Sequence, residues 1–285
     1  MNELTKRVLV AVVAVPVIAG TLYLGDAPLA ILLSIAAAVA AWEYGRLAEA
    51  AGAQPMMAWG IALAALVPLG VHAARLGLWV PPISLVALIV PLLLAVALWT
   101  RGPDGKPIEA VATTLFGVWY TGGMLAFVYA LRYHRFAVSD DAGALLVFFP
   151  VVITWLNDTG AFAVGKAFGK RKLMPSVSPG KTIAGIVGGV VTSALGAWAY
   201  VAFLLQPHAG LGLPVPAAIA FGVAISGVAL IGDLVESMLK REAGVKDSST
   251  LIPGHGGVLD RTDSLLFTIP VAYVVLDRLL LVGGT

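Results

Sequence analysis

Between Ser237 and Asp263 the chain reads SMLKREAGVKDSSTLIPGHGGVLDRTD, and Lys240, Arg241, Lys246, Asp247, His255, Asp260, Arg261 and Asp263 all fall inside that stretch. Charge is costly beside a bilayer, so a dense cluster next to apolar spans marks a functional site. Both signs surround a glycine-rich turn, which suits a site that holds phosphate and a cation together. Asp260 and Asp263 are three residues apart and share one face of a helix. Paired carboxylates offer oxygens to a hard cation such as magnesium, which takes one or two carboxylates plus substrate phosphates. The alternative is an acidic cap on a helix N-terminus. Asp233 and Glu236 repeat the spacing of three and could complete a metal site with Asp260 and Asp263. Alternatively, Glu236 forms a structural pair with Lys240. In Gly254-His255-Gly256-Gly257 the backbone can approach an anion and present amide donors. His255 could donate to phosphate or carry a proton; the bland alternative is a tight turn.

A second cluster holds Trp155, Asn157, Asp158, Lys166, Lys170, Arg171 and Lys172, followed by SVSPGKT from Ser176 to Thr182. Lys181 and Thr182 look like the end of a phosphate loop, but the leading glycine is missing, so a Walker A motif is rejected. A phosphate contact by Lys181 fits a polar loop abutting a helix that starts at 183. Lys170 and Lys172 read as a solvated basic cluster against anionic lipid. Asn157 and Asp158 are expected near a helix end, Asp158 as a further ligand, a substrate contact or a lysine partner. His72, His134 and His208 receive no role, Asp140 and Asp141 read as a solvated outer loop, and Glu43 with Arg46 reads as a local ion pair.

These residues must be positioned by membrane helices. The 285-residue chain is 59% hydrophobic and 12% charged, with a mean hydropathy of +0.94, where soluble domains carry about 25% charged residues. A soluble fold could not hide this much apolar surface, so the fold class is an all-α, polytopic membrane helix bundle. With no cysteine there is no disulfide framework and no thiolate chemistry. No basic tract with interleaved aromatics points to nucleic acid. Nine apolar runs are long enough to span: 8–24, 28–47, 56–74, 78–99, 110–131, 143–164, 183–205, 214–236 and 264–282. The first, after Lys6 and Arg7, reads as an uncleaved anchor. With nine spans only Arg75, Arg132, Arg135 and Arg278 of the 18 Lys and Arg fall on the side opposite the N-terminus. That bias puts the N-terminus and the loops at 166–181 and 237–263 in the cytoplasm, around one polar cavity. The whole is one membrane domain, in which 1–140 supplies packing helices and 141–285 nearly all the chemistry.

The stretch from Ser237 to Asp263 resembles the signature of phosphatidate cytidylyltransferases: S-x-apolar-K-R, four residues, K-D, then P-x-H-G-G-apolar-x-D-R-x-D. It is met by Ser237, Leu239, Lys240, Arg241, Lys246, Asp247, Pro253, His255, Gly256, Gly257, Val258, Asp260, Arg261 and Asp263. Trp155 to Gly189 is similar to the same family in W-x-x-D, the basic loop and S-P-x-K-[ST]. The family's acid two residues further on is Ala184 here, so its role is either absent or supplied elsewhere, by Asp158 or Glu236. The resemblance implies transfer of a cytidylyl group from CTP to phosphatidate, giving CDP-diacylglycerol and pyrophosphate for phospholipid synthesis. It implies Mg2+, in a two-ion site held by Asp233, Asp260 and Asp263 with Asp158 nearby. Ser178, Lys181, Lys240, Arg241, Lys246 and Arg261 would hold phosphates, and His255, Gly256 and Gly257 would shape the loop around the triphosphate. A homodimer in a bacterial inner membrane, with its active site facing the cytoplasm, is also implied. Rival readings are a related enzyme with another lipid acceptor, an ion transporter, and a scaffold with a decayed signature.

Overall fold

The computed structural model describes residues 3–282. The side chains of Lys6 and Arg7, used above for orientation, lie outside what it describes. The chain is overwhelmingly helical. Among the described residues seven helices are long and apolar enough to cross a membrane: Asp26–Ala50, Met57–Arg75, Ile83–Thr100, Pro103–Arg132, Asp140–Phe168, Ile183–Ala209 and Val215–Glu242. This makes it an integral membrane protein. The first and ninth expected spans are not in that set. The last falls in a helix, Leu259–Leu279, whose ends carry Asp260, Arg261 and Asp263 on one side and Asp277 and Arg278 on the other.

The chain divides into two compact units, one made of Gly25–Tyr129 and Leu239–Arg261 with the residues up to Thr21, the other of Leu22–Leu24, Ala130–Met238 and the residues from Thr262 onward. In the first, α1 (Glu3–Leu24, to Thr21), α2 (Asp26–Ala50), α3 (Met57–Arg75), α4 (Ile83–Thr100), α5 (Pro107–Val118) and α6 (Met124–Arg132, to Tyr129) are sequential. Packing relies on small residues, because lipid tails are as apolar as leucine and only close backbone approach favours helix association. Ala37 and Ala40 of α2 are fully buried, and a side chain at Gly45 would run into Met57. The expected span at 110–131 lies within the helix Pro103–Arg132, where α5 and α6 are joined by a π turn, Trp119–Gly123. That turn brings Gly122 against the backbone of Ala64 on α3, where no Cβ would fit. Met56, just before α3, packs with Leu93 and Ala97 of α4 and Ala110 and Val111 of α5 in a buried apolar cluster. Pro81 and Pro82 delay α4 to Ile83, five residues later than the expected start at 78.

In the second unit α7 (Asp140–Phe168) packs along α8 (Ile183–Tyr200) through facing glycines: a Cβ on Gly160 would meet the Gly188 carbonyl, and one on Gly185 the Ala161 carbonyl. Asp140 and Asp141 form the first turn of α7, capped by Ser139, rather than a loop. Asp140 pairs with buried Arg132 at 2.9 Å, and Arg132 also donates to the Leu22 and Tyr23 carbonyls at the end of α1. Phe149 is stacked between Tyr200 and Phe221 at centroid distances of 4.8 and 4.5 Å. Between α7 and α8 the basic loop folds as an antiparallel hairpin, β1 (Lys172–Met174) and β2 (Ser178–Thr182). A short α9 (Gln206–Ala209) and a two-residue β3 (Leu211–Gly212) lead to α10 (Val215–Glu242), and α11 (Leu259–Leu279) is followed by β4 (Leu281–Val282), which pairs with β3. The unit boundaries fall within α10 and α11, at Leu239 and Thr262.

Candidate active site

In the second unit the acidic and basic residues of the hairpin region converge on a cavity of about 440 Å³. Asn157, Asp158, Lys181, Thr182, Ser226 and Asp233 line it. Helix α7 runs on to Phe168, so Asn157 and Asp158 sit well inside it, not near its end. The continued helix gives them a rigid mount. The Ser226 hydroxyl of α10 donates to Asn157 Oδ1 at 2.6 Å, and Asn157 Nδ2 donates to Asp158 Oδ1 at 3.2 Å. This relay fixes the Asn157 amide orientation and aims a donor at the Asp158 carboxylate. Lys181, near the end of β2, pairs with Asp233 of α10 at 2.5 Å. Thr182 is the N-cap of α8, its hydroxyl accepting from Gly185 N at 3.1 Å. The expected polar junction before residue 183 is therefore present, but it is built as a β-strand running into a capped helix. Ser178 pairs across the hairpin with Met174 and does not line the cavity. Asp263 belongs to the same unit, and Gly232, next to Asp233, abuts its carbonyl so closely that a Cβ there would clash.

In the first unit the stretch after α10 folds around two carboxylates. Asp260, almost buried, accepts from Lys240 Nζ at 2.7 Å through Oδ1. Its Oδ2 accepts from Ser248 N (2.9 Å), Ser248 Oγ (2.8 Å) and Gly257 N (2.8 Å). Lys240 thus joins the end of α10 to the start of α11 through Asp260. Gly256 has a φ of +82°, and a Cβ on it would meet Asp260 Oδ2 at 2.6 Å, so glycine is required on both counts. The second carboxylate is Glu43 of α2, fully buried. The expected Glu43–Arg46 pair does not form: Arg46 bonds Glu49 at 3.0 Å, while Glu43 takes Ser249 Oγ at 2.6 Å and the backbone N–H of Leu259 at 2.7 Å. Lys246, Arg241 and Arg261 are exposed on this stretch, and His255 is half-buried with Nδ1 3.4 Å from the Pro253 carbonyl.

The donor set fits a divalent cation unevenly. Asp158 and Asp233 face one cavity, as a hard cation sharing its shell with phosphates requires. Asp260 is engaged by donors in this arrangement, three on Oδ2 and the Lys240 ammonium on Oδ1. Among the described residues no three acidic or histidine side chains converge as a metal cluster. Ser248, Ser249 and Ser226 had no expected role, and Glu43 was expected only as the partner of Arg46. Glu43 carried a signal, because a carboxylate inside an apolar helix needs a partner; the serines carried none.

The sequence profile described as the Cytidylyltransferase family matches residues 5–279. A phosphatidate cytidylyltransferase of Haemophilus influenzae is 40% identical over 172 residues, covering 60% of this chain and 57% of that protein. One of Bacillus subtilis is 43% identical over 137 residues, covering 48% of this chain and 49% of the relative. One of Staphylococcus epidermidis is 35% identical over 200 residues, or 70% and 72% of the two chains. The matches to the first two thus span about half of each relative's length. With the family profile matching nearly end to end, the chain belongs to the cytidylyltransferase family.

Proposed function

We propose that this protein transfers the cytidylyl group of CTP to phosphatidate, producing CDP-diacylglycerol and pyrophosphate. An oxygen of the lipid phosphate attacks the α-phosphorus of CTP, the bond from that phosphorus to the bridging oxygen breaks, and pyrophosphate leaves with the electron pair. Phosphoryl-type transfer needs positioning and charge neutralisation more than covalent participation by the protein. The nucleophile is already anionic at neutral pH, so no general base is needed. The observation that carries the reading is the cavity in which Lys181 and Asp233 form a pair beside Asp158 and its Asn157 relay. A lysine there can exchange a carboxylate for a phosphate, freeing Asp233. The names of the three relatives support the same reaction.

Mg2+ belongs to this proposal. Asp233 and Asp263 would hold it, with Asp158 close by and substrate phosphates completing its shell, and a second ion would need Asp260 to release Lys240. When bound, the ion would offset the charge that builds on the phosphate oxygens. Lys181, Lys240, Arg241, Lys246 and Arg261 would bind phosphates, with Ser178, His255, Gly256 and Gly257 shaping the binding loops. We further propose that α1 and α11 also cross, giving nine spans, with residues 1–140 supplying packing and the dimer contacts of a homodimer and 141–285 the catalytic part. The protein would sit in a bacterial inner membrane with this chemistry on the cytoplasmic side, as the distribution of Lys and Arg supports. The test is to measure CDP-lipid formation by Asp233→Asn and Asp263→Asn across a magnesium titration. Loss of at least about 100-fold in kcat for each is expected if both act on the reacting phosphates. Turnover within a few-fold of wild type in both would remove them from the site.

A further inference from the structure

Glu43, on α2, is fully buried and reaches the signature stretch through its side chain. Each of its oxygens accepts one backbone amide and one hydroxyl. Oε1 takes Val258 N at 3.0 Å and Ser249 Oγ at 2.6 Å. Oε2 takes Leu259 N at 2.7 Å and Ser248 Oγ at 3.4 Å. Leu259 opens α11, so these amides are among the N–H groups that a helix start leaves without intrahelical partners. Glu43 thus caps α11 from a helix more than 200 residues earlier in the chain, with its negative charge at the positive end of the dipole. The segment Ser248–Val258 is consequently gripped by two carboxylates, Glu43 and Asp260, and Gly257 lies where a Cβ would strike both Ser248 Oγ and Glu43 Oε1.

We propose that Glu43 is a positioning residue for the reaction assigned above, and on that reading it holds the Ser248–Val258 loop, with His255, Gly256 and Gly257, in the shape that receives the CTP triphosphate. The donor pattern explains why a carboxylate is needed. Hydroxyls can turn away from a changed partner, but the Val258 and Leu259 amides point one to each oxygen. A glutamine in either flip sets its NH2 against one of them. Loop apolar contacts cannot compensate, since Thr250, Leu251 and Pro253 are exposed.

The test uses the full chain in detergent, with Glu43→Gln, Ser249→Ala and, as a control, Glu49→Gln, whose partner is only the exposed Arg46. CTP affinity is measured directly by equilibrium binding, KM is measured separately for CTP and phosphatidate, and hydrogen exchange is followed in the peptide covering 248–260. Glu43→Gln should weaken CTP binding and raise its KM by about 10- to 100-fold, the range expected for displaced contacts, with the phosphatidate KM within twofold of wild type. Exchange should accelerate in 248–260 and not in α7 or α8. Ser249→Ala, which spares both amide contacts, should change CTP affinity by less than about 10-fold, and Glu49→Gln should match wild type. Unchanged CTP affinity in Glu43→Gln overturns the inference. So does faster exchange throughout the chain with equal losses for both substrates, since that marks general destabilisation. A wild type that binds CTP yet makes no CDP-lipid overturns the proposed function alone, because the CTP-binding arm judges Glu43 independently.

Discussion

The Lys240–Asp260 pair offers a quantitative test of whether Asp260 organises the signature stretch. The two side chains are 13% and 4% exposed and 2.7 Å apart. At that distance and an effective dielectric near 20, the gross attraction is about 6 kcal/mol, most of it offset by desolvation. Asp260→Asn removes the carboxylate charge that the poorly hydrated Lys240 ammonium meets at 2.7 Å and turns an amide donor toward it or toward Ser248 N and Gly257 N. The expected loss of stability is about 3–5 kcal/mol. Lys240→Met leaves Asp260 with three uncharged donors, Ser248 N, Ser248 Oγ and Gly257 N, and should cost about 1–3 kcal/mol. In the double variant, an uncharged amide faces an uncharged thioether and the stranded-charge penalty disappears. The two changes should therefore couple by about 2 kcal/mol, within the usual range for contacting residues. The assay is reversible denaturant unfolding of all four proteins in one detergent. Single effects that add to within about 0.5 kcal/mol would refute the pairing.

Two further outcomes follow from the packing. Gly257→Ala should destabilise by about 1–3 kcal/mol through overpacking against Ser248 and Glu43, whereas Gly180→Ala, with open space around it, should stay within about 0.5 kcal/mol of wild type; thermal unfolding of the two, side by side, tests the contrast. His134 lies between α6 and α7, its side chain buried, ringed by Tyr273 and Phe136, with Nε2 3.4 Å from Asp277. Burial pushes its pKa below the ordinary histidine value, Asp277 partly restores it, and Arg135 lowers it further. The unfolded chain therefore takes up the proton first, so this contribution to stability is full above about pH 6.5 and is lost as pH falls from there through the depressed folded value. His134→Gln should flatten the fall in unfolding midpoint between pH 7.5 and pH 5; an unchanged slope would assign that fall to other groups.

The reach of the sequence can be traced through these same residues. Apolar runs of span length and their flanking charges revealed the helices because hydropathy is local: α2, α3, α7, α8 and α10 lie close to where the runs placed them. The signature residues were legible through their types and spacing. What stayed hidden depended on long-range geometry. Glu43 and Arg46 have an ideal i,i+3 spacing, but a buried carboxylate gains more from two backbone amides and two hydroxyls than from an exposed arginine. Lys240 also bonds Asp260, 20 residues away, through a loop closure that no periodicity records. The hairpin at 172–182 is short and polar, with a register irregularity between Lys172 and Met174, so it lacked an alternating apolar pattern. The π turn at Trp119–Gly123 is fixed by contact of Gly122 with Ala64, which the sequence records only as one more small residue.

The reaction itself is tested by product formation with the purified wild-type protein in detergent, from CTP labelled at the α-phosphate and phosphatidate, with and without magnesium. Labelled CDP-diacylglycerol, with one pyrophosphate released per lipid formed, is expected only when magnesium is present. A folded sample that binds CTP but leaves phosphatidate unlabelled under every metal condition would contradict it.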